Sequence, residues 1–126
     1  MAEIDSFFKY KLSDESTENI VLYQIEFNQN HQIFIGHFPD QPVVPGVLII
    51  RTIVECTCVH LQKKLSLKKA TQCKFLNFVD PRKEPVLSLQ LNIYDDGTLV
   101  DVKAVLKSEA TIFTKAALIL EDKVNA

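Results

Sequence analysis

The chain has 126 residues, 47% of them apolar, enough for one globular domain spanning 1–126 with its own core and short for two. A net charge of −2 with both signs interspersed argues against a nucleic-acid binder, and no window approaches the ~20 apolar residues of a membrane span. The start, Met1-Ala2-Glu3-Ile4-Asp5, lacks the basic and apolar parts of a secretory signal, so a cytoplasmic setting is expected.

In chain order, Phe7 to Leu12 reads as a short first strand, and the polar run Ser13 to Asn19 as a loop. Ile20 to Phe27 alternates, with Val21, Tyr23, Ile25 and Phe27 on one face against Gln24 and Glu26, the pattern of a half-buried strand. Asn28 to His31 is a turn, and Ile33 to Ile35 a brief extended piece leading to Gly36 and His37. Pro39, Pro42 and Pro45 then each fix φ and push the preceding residue towards extended backbone, so Gly36 to Pro45 is predicted as a stiff, non-helical loop. Pro45-Gly46 opens into Val47 to Leu61, apolar on nearly every side, which predicts a helix buried all round.

After the helix, Gln62 to Lys69 reads as a basic connection and Ala70 to Val79 as a strand closed by Asp80-Pro81. Val86 to Tyr94 alternates cleanly, with Leu87, Leu89, Leu91 and Ile93 on one side. Asp96-Gly97 is a strong hairpin signal, because tight turns need positive φ and glycine supplies it without steric cost. Thr98 to Lys107 and Thr111 to Leu120 complete the strands around a turn at Ser108-Glu109. The sum is an α+β layout, an antiparallel sheet curled around one central buried helix. Val100, Val102 and Leu106 are expected at a sheet edge, where they would favour pairing with another chain.

Chemistry concentrates at the proline-rich loop. His37 stands there ahead of a helix whose first N–H groups have no partner within the helix, and the Gly46 and Val47 amides can polarise a carbonyl. Phe34, Phe38 and Pro45 are candidates for the wall of an acyl pocket. Cys56, Cys58 and Cys73 are expected as reduced core residues; Cys56 and His60 share a helix face but are two ligands where a zinc site needs at least three, so no metal is expected. His31 and His60 are read as structural or exposed. The run Lys63, Lys64, Lys68 and Lys69, with Arg82 and Lys83, is either a solvated face or a dock for an acidic partner.

The stretch "GHFPDQPVVPGVLII" resembles the H-F-P-x-x-P-x-x-P-G-V-L signature of the 3-hydroxyacyl-acyl-carrier-protein dehydratases, with His37, Phe38, Pro39, Pro42, Pro45, Gly46, Val47 and Leu48 all in register. The resemblance implies a hotdog fold, a lyase of fatty-acid or related polyketide synthesis, acyl carrier protein as the substrate's carrier, no cofactor, and sites built between the subunits of a homodimer or higher assembly. It makes His37 the base and calls for a carboxylate fourteen positions later, where this chain has Arg51. A guanidinium keeps its proton through the working range and cannot serve as the acid that releases water. Glu55 follows one turn later on the same face, as a displaced acid or as Arg51's ion-pair partner, with Arg51 left to anchor substrate or stabilise an enolate. Two other readings stay open at this point: a non-catalytic subunit pairing with an active homologue, and a thioesterase.

Overall fold

The computed structural model describes residues 2–4, 7–17, 20–36 and 42–123, so His37 and Phe38 lie outside the described residues. The elements are β1 (Ala2–Ile4), β2 (Phe8–Leu12), β3 (Val21–Phe27), α1 (Ile33–Gly36), α2 (Gly46–Leu61), β4 (Leu65–Phe75), β5 (Leu87–Asp95), β6 (Leu99–Lys107) and β7 (Ile112–Asp122). The strands form one seven-stranded sheet in the order β1-β2-β3-β5-β6-β7-β4, with every neighbouring pair antiparallel. This is the hotdog arrangement that the motif implies: a sheet wrapped around one long helix.

Alternation fixes which face is which. Val21, Tyr23, Ile25 and Phe27 of β3, Leu87, Leu89 and Leu91 of β5, Val100, Val102, Ala104 and Leu106 of β6, and Ala116, Leu118 and Leu120 of β7 are all buried on one side of the sheet. They form the core with Ile49, Ile53 and Cys56 of α2. At the far end of the sheet Phe7 stacks against Phe34 with ring centroids 6.4 Å apart and closes the core around Phe27. The β5–β6 turn follows the Asp96-Gly97 expectation: the Asp96 amide donates to the Leu99 carbonyl at 3.1 Å, and Gly97 has φ +92°. None of the helices among the described residues is long and apolar enough to cross a membrane.

Four expectations are corrected. Ile33–Gly36 is a helical turn rather than an extended piece, because the Ile33 amide donates to His31 Nδ1 at 3.1 Å and the Phe34 amide to the His31 carbonyl. The strand after α2 begins at Leu65, inside the predicted connection, and ends at Phe75; the chain leaves the sheet there because the Leu76 and Asn77 amides both turn to the Phe113 carbonyl. Val100, Val102 and Leu106 are not at an edge. They lie in β6 between β5 and β7, and the edges are β1 and β4.

The fourth correction concerns α2, which is not buried all round. Ile49, Thr52, Ile53, Cys56 and Thr57 are buried, whereas Val47 is 73% exposed, Arg51 is exposed, Glu55 is half-buried and Val59 is 36% exposed. These last four recur at i, i+4 and so form one stripe, turned away from the chain's own sheet. Truncating the opposite face tests this orientation. Ile53→Ala should lower unfolding stability by about 2–5 kcal/mol in urea titration, while Val59→Ala should cost well under about 1 kcal/mol in the single chain.

Candidate active site

Proline sets the start of α2. Pro45 occupies the N-cap with φ −60° and ψ 143°, extended backbone that its ring favours, and its carbonyl accepts from the Leu48 and Ile49 amides at 3.0 and 3.1 Å. Pro45 itself offers no side-chain cap hydrogen bond. Among the described residues, the Gly46 and Val47 amides have no acceptor, so two donors and the positive end of a sixteen-residue helix face outward together.

Two irregular segments brace that start. The Val44 amide donates to the Val79 carbonyl at 2.9 Å, and both residues are buried. The segment carrying Val79 is held in turn to β7: the Leu76 and Asn77 amides bond the Phe113 carbonyl, and Asn77 Nδ2 donates to the Ile112 carbonyl at 2.9 Å. Beyond Val79, Asp80 fixes a turn. Its carboxylate accepts from the Arg82 amide at 2.9 Å and pairs with the Arg82 guanidinium at 3.2 Å, and its carbonyl accepts from the Lys83 and Glu84 amides.

Phe75, the last residue of β4, lies directly against the helix start. A Cβ built on Gly46 would come within 2.6 Å of Phe75 Cζ and 2.9 Å of a neighbouring ring carbon. A side chain at 46 would therefore have to displace the Phe75 ring, whose far end makes the contact. The sequence reading did not single out Phe75, since the contact joins two elements that no local pattern relates.

The predicted site residues are thus partly assembled. Pro45, Gly46, Val47, Arg51 and Glu55 lie along the first ten residues of α2 and its cap, with Arg51 and Glu55 on the open stripe. Phe34 does not join them. It is 6% exposed and belongs to the core beside Phe7. Arg51 and Glu55 are not joined in an ion pair; the pairs between described residues are Lys63–Asp95, Lys68–Glu121 and Arg82–Asp80. The basic run is exposed, with Lys63 and Lys68 engaged in two of those pairs.

The thiols are poor candidates for nucleophilic chemistry. Burial, with the Glu55 and Cys58 charges behind it, pushes Cys56 up to about 12, and burial also raises Cys58 and Cys73. No group of three or more candidate metal ligands occurs among the described residues. An open depression of about 810 Å³ lies elsewhere, between the loops around Ser13, Glu84 and Ser108, and contains none of the predicted site residues.

Comparisons with known proteins place this architecture. A family model described as ApeI-like, the ApeI dehydratase, matches residues 13–112. The 3-hydroxyacyl-acyl-carrier-protein dehydratase FabZ of Thermotoga neapolitana is 32% identical over 111 residues, covering 85% of this chain and 80% of the relative. The corresponding FabZ of Wolbachia pipientis wMel is 30% identical over 95 residues, covering 66% of each chain. Among solved structures, the dehydratase heterocomplex ApeI:P from Xenorhabdus doucetiae superposes with a TM-score of 0.68 at 21% identity, over 90% of this chain and 98% of that one, which supports the fold.

Asp80 provides a test of the brace. Partial burial pushes its carboxyl up, but the side-chain and backbone hydrogen bonds from Arg82 and the Arg82 and Lys83 charges outweigh burial and hold it below the ordinary 3.8. A depressed carboxyl stabilises the fold above its unfolded value, and that contribution disappears as pH falls through the lower folded value. Asp80→Asn should therefore melt below the wild type at pH 7, with the gap closing as the pH is taken well below 3.8 in a series of thermal melts.

Proposed function

The chain belongs to the ApeI-like dehydratase family, and on that premise we propose that it removes water from 3-hydroxyacyl thioesters carried on acyl carrier protein, in the cytoplasm, at sites shared between two chains. The observation that carries this reading is the pair of amides at Gly46 and Val47, without an acceptor among the described residues, which can hold the thioester carbonyl and stabilise the negative charge on its oxygen as the proton at C2 is taken. His37, nine residues ahead of Gly46 along the chain, is the base, its imidazole titrating near neutrality in the ordinary case. Glu55 is the acid that protonates the leaving hydroxyl, and Arg51 holds negative charge on the substrate or the enolate oxygen.

Helix geometry supports the need for a second chain. At 1.5 Å per residue, Glu55 lies about 13 Å along the axis from Gly46, and Arg51 about 7 Å. The carbonyl oxygen and the 3-hydroxyl of one acyl group are only a few bonds apart, so the Gly46 amides and Glu55 of one chain cannot both engage it. Glu55 serves acyl groups held by another chain's amides. The stripe of Val47, Arg51, Glu55 and Val59, together with the outer edge of β4, is the face available to that chain. A second copy covers it in the simplest assembly, and an isologous contact of this kind gives two equivalent sites. A homologous chain in the same position would give a hetero-oligomer of the same geometry.

Mass spectrometry of a 3-hydroxyacyl carrier protein incubated with the purified chain should show loss of water to the enoyl product. His37→Ala should slow this by at least about a hundredfold, and Glu55→Gln by a similar factor, the range expected when a general base or acid is removed. A Glu55→Gln variant running at the full rate would rule out the displaced carboxylate. Free acid and thiol in place of an enoyl thioester would assign hydrolysis instead.

A further inference from the structure

The structure assigns a specificity role to a residue outside the motif: we propose that the Phe75 ring is the wall that restricts bulk at the acyl carbon next to the carbonyl, and that Gly46 is glycine to admit that ring. The inference rests on the dehydratase reading for where the carbonyl sits, and on the contact between Gly46 and Phe75 for where the ring sits.

Phe75 is half exposed, at 51%, although its ring lies against the first residue of α2. One side of the ring is therefore spent on Gly46, and the rest is left uncovered in the single chain. A Cβ at position 46 would meet three ring carbons at 2.6, 2.9 and 3.1 Å, so helix and ring approach as closely as backbone without a side chain allows. Gly46 has no positive φ to explain its identity, and the ring contact is what a larger residue there would have to push aside.

The backbone that carries the ring is held in place. β4 pairs with β7 through Phe75 opposite Thr114, and the next two residues are tied to the Phe113 carbonyl, with Asn77 Nδ2 on the Ile112 carbonyl as a further tether. The backbone at 75 has little freedom to retreat. A carbonyl oxygen bonded to the Gly46 or Val47 amide lies about 2.9 Å from that nitrogen, which leaves the adjoining C2 within van der Waals reach of a ring that touches Gly46 itself. A straight acyl chain can pass such a wall. A methyl branch at C2 adds volume on the side the ring occupies.

The test compares 3-hydroxybutyryl-pantetheine with 2-methyl-3-hydroxybutyryl-pantetheine on the wild type, Phe75→Leu and Phe75→Ala. The ratio of kcat/KM for the branched over the unbranched thioester should rise by at least about tenfold in Phe75→Ala, mainly through KM, with Phe75→Leu between, as expected for relief of one methyl group's clash. Gly46→Ala should lower turnover of the unbranched thioester, and the loss should be smaller in a Phe75→Ala background, because the new methyl then meets no ring. A branched-to-unbranched ratio that stays at the wild-type value in both Phe75 variants, with thermal melts confirming that Phe75→Leu is folded, overturns the assignment. If the wild type dehydrates neither compound, the dehydratase reading fails. The wall is then judged by calorimetric binding of butyryl- against 2-methylbutyryl-pantetheine, where the same shift in ratio upholds it and an unchanged ratio rejects it.

Discussion

One backbone hydrogen bond, from the Val44 amide to the Val79 carbonyl, joins the two irregular segments on which the candidate site stands. Both residues are buried, and a buried backbone donor or acceptor left without a partner costs free energy comparable to a lost hydrogen bond. Each segment thus supplies what the other needs. The segment ending at Pro45 sets the direction in which α2 begins; the one beginning after Phe75 is fastened to β7 by the Phe113 and Ile112 carbonyls. Through this link the open amides of Gly46 and Val47 acquire a fixed position relative to the sheet, which capping by Pro45 alone would not give them.

The same brace explains why the helix can keep a poorly covered side. Its inward face, Ile49, Ile53 and Cys56, packs on a sheet whose central strands are continuous and strongly apolar, and this is enough to seat it. The stripe of Val47, Arg51, Glu55 and Val59 contributes little to that packing. Two valines flanking two opposite charges make neither a core face nor an ordinary solvated one.

Most of the fold was legible because most of the strands alternate. β3 and β5 bury every second residue over most of their length, and their registers follow from placing those residues on the helix side. β4 was misplaced for the opposite reason. As an edge strand it is exposed on both faces from Leu67 to Gln72 and carries two register shifts, so its lysine-rich first half, up to Lys69, reads as a connection and only the part from Ala70 as strand. α1 was missed because a single turn secured by the His31 imidazole has no periodic signature either. The helix itself was found, but its apolar content was read as burial on every side. Hydrophobicity reports what can be buried, and the i, i+4 stripe shows which part the chain's own sheet leaves uncovered.

The site divides along a similar line. Gly46 and Val47 were readable because Pro45-Gly46 is local grammar for a helix start, and Arg51 because a motif supplied the position at which a carboxylate was due. Phe34, close to His37 along the chain, has its ring in the core against Phe7, a direction that proximity in sequence does not give. Phe75 was invisible for the converse reason. It lies far from the motif along the chain and reaches it only because β4 ends where α2 begins. The identity of what approaches depends on three-dimensional closure of the sheet, which no window of the sequence contains.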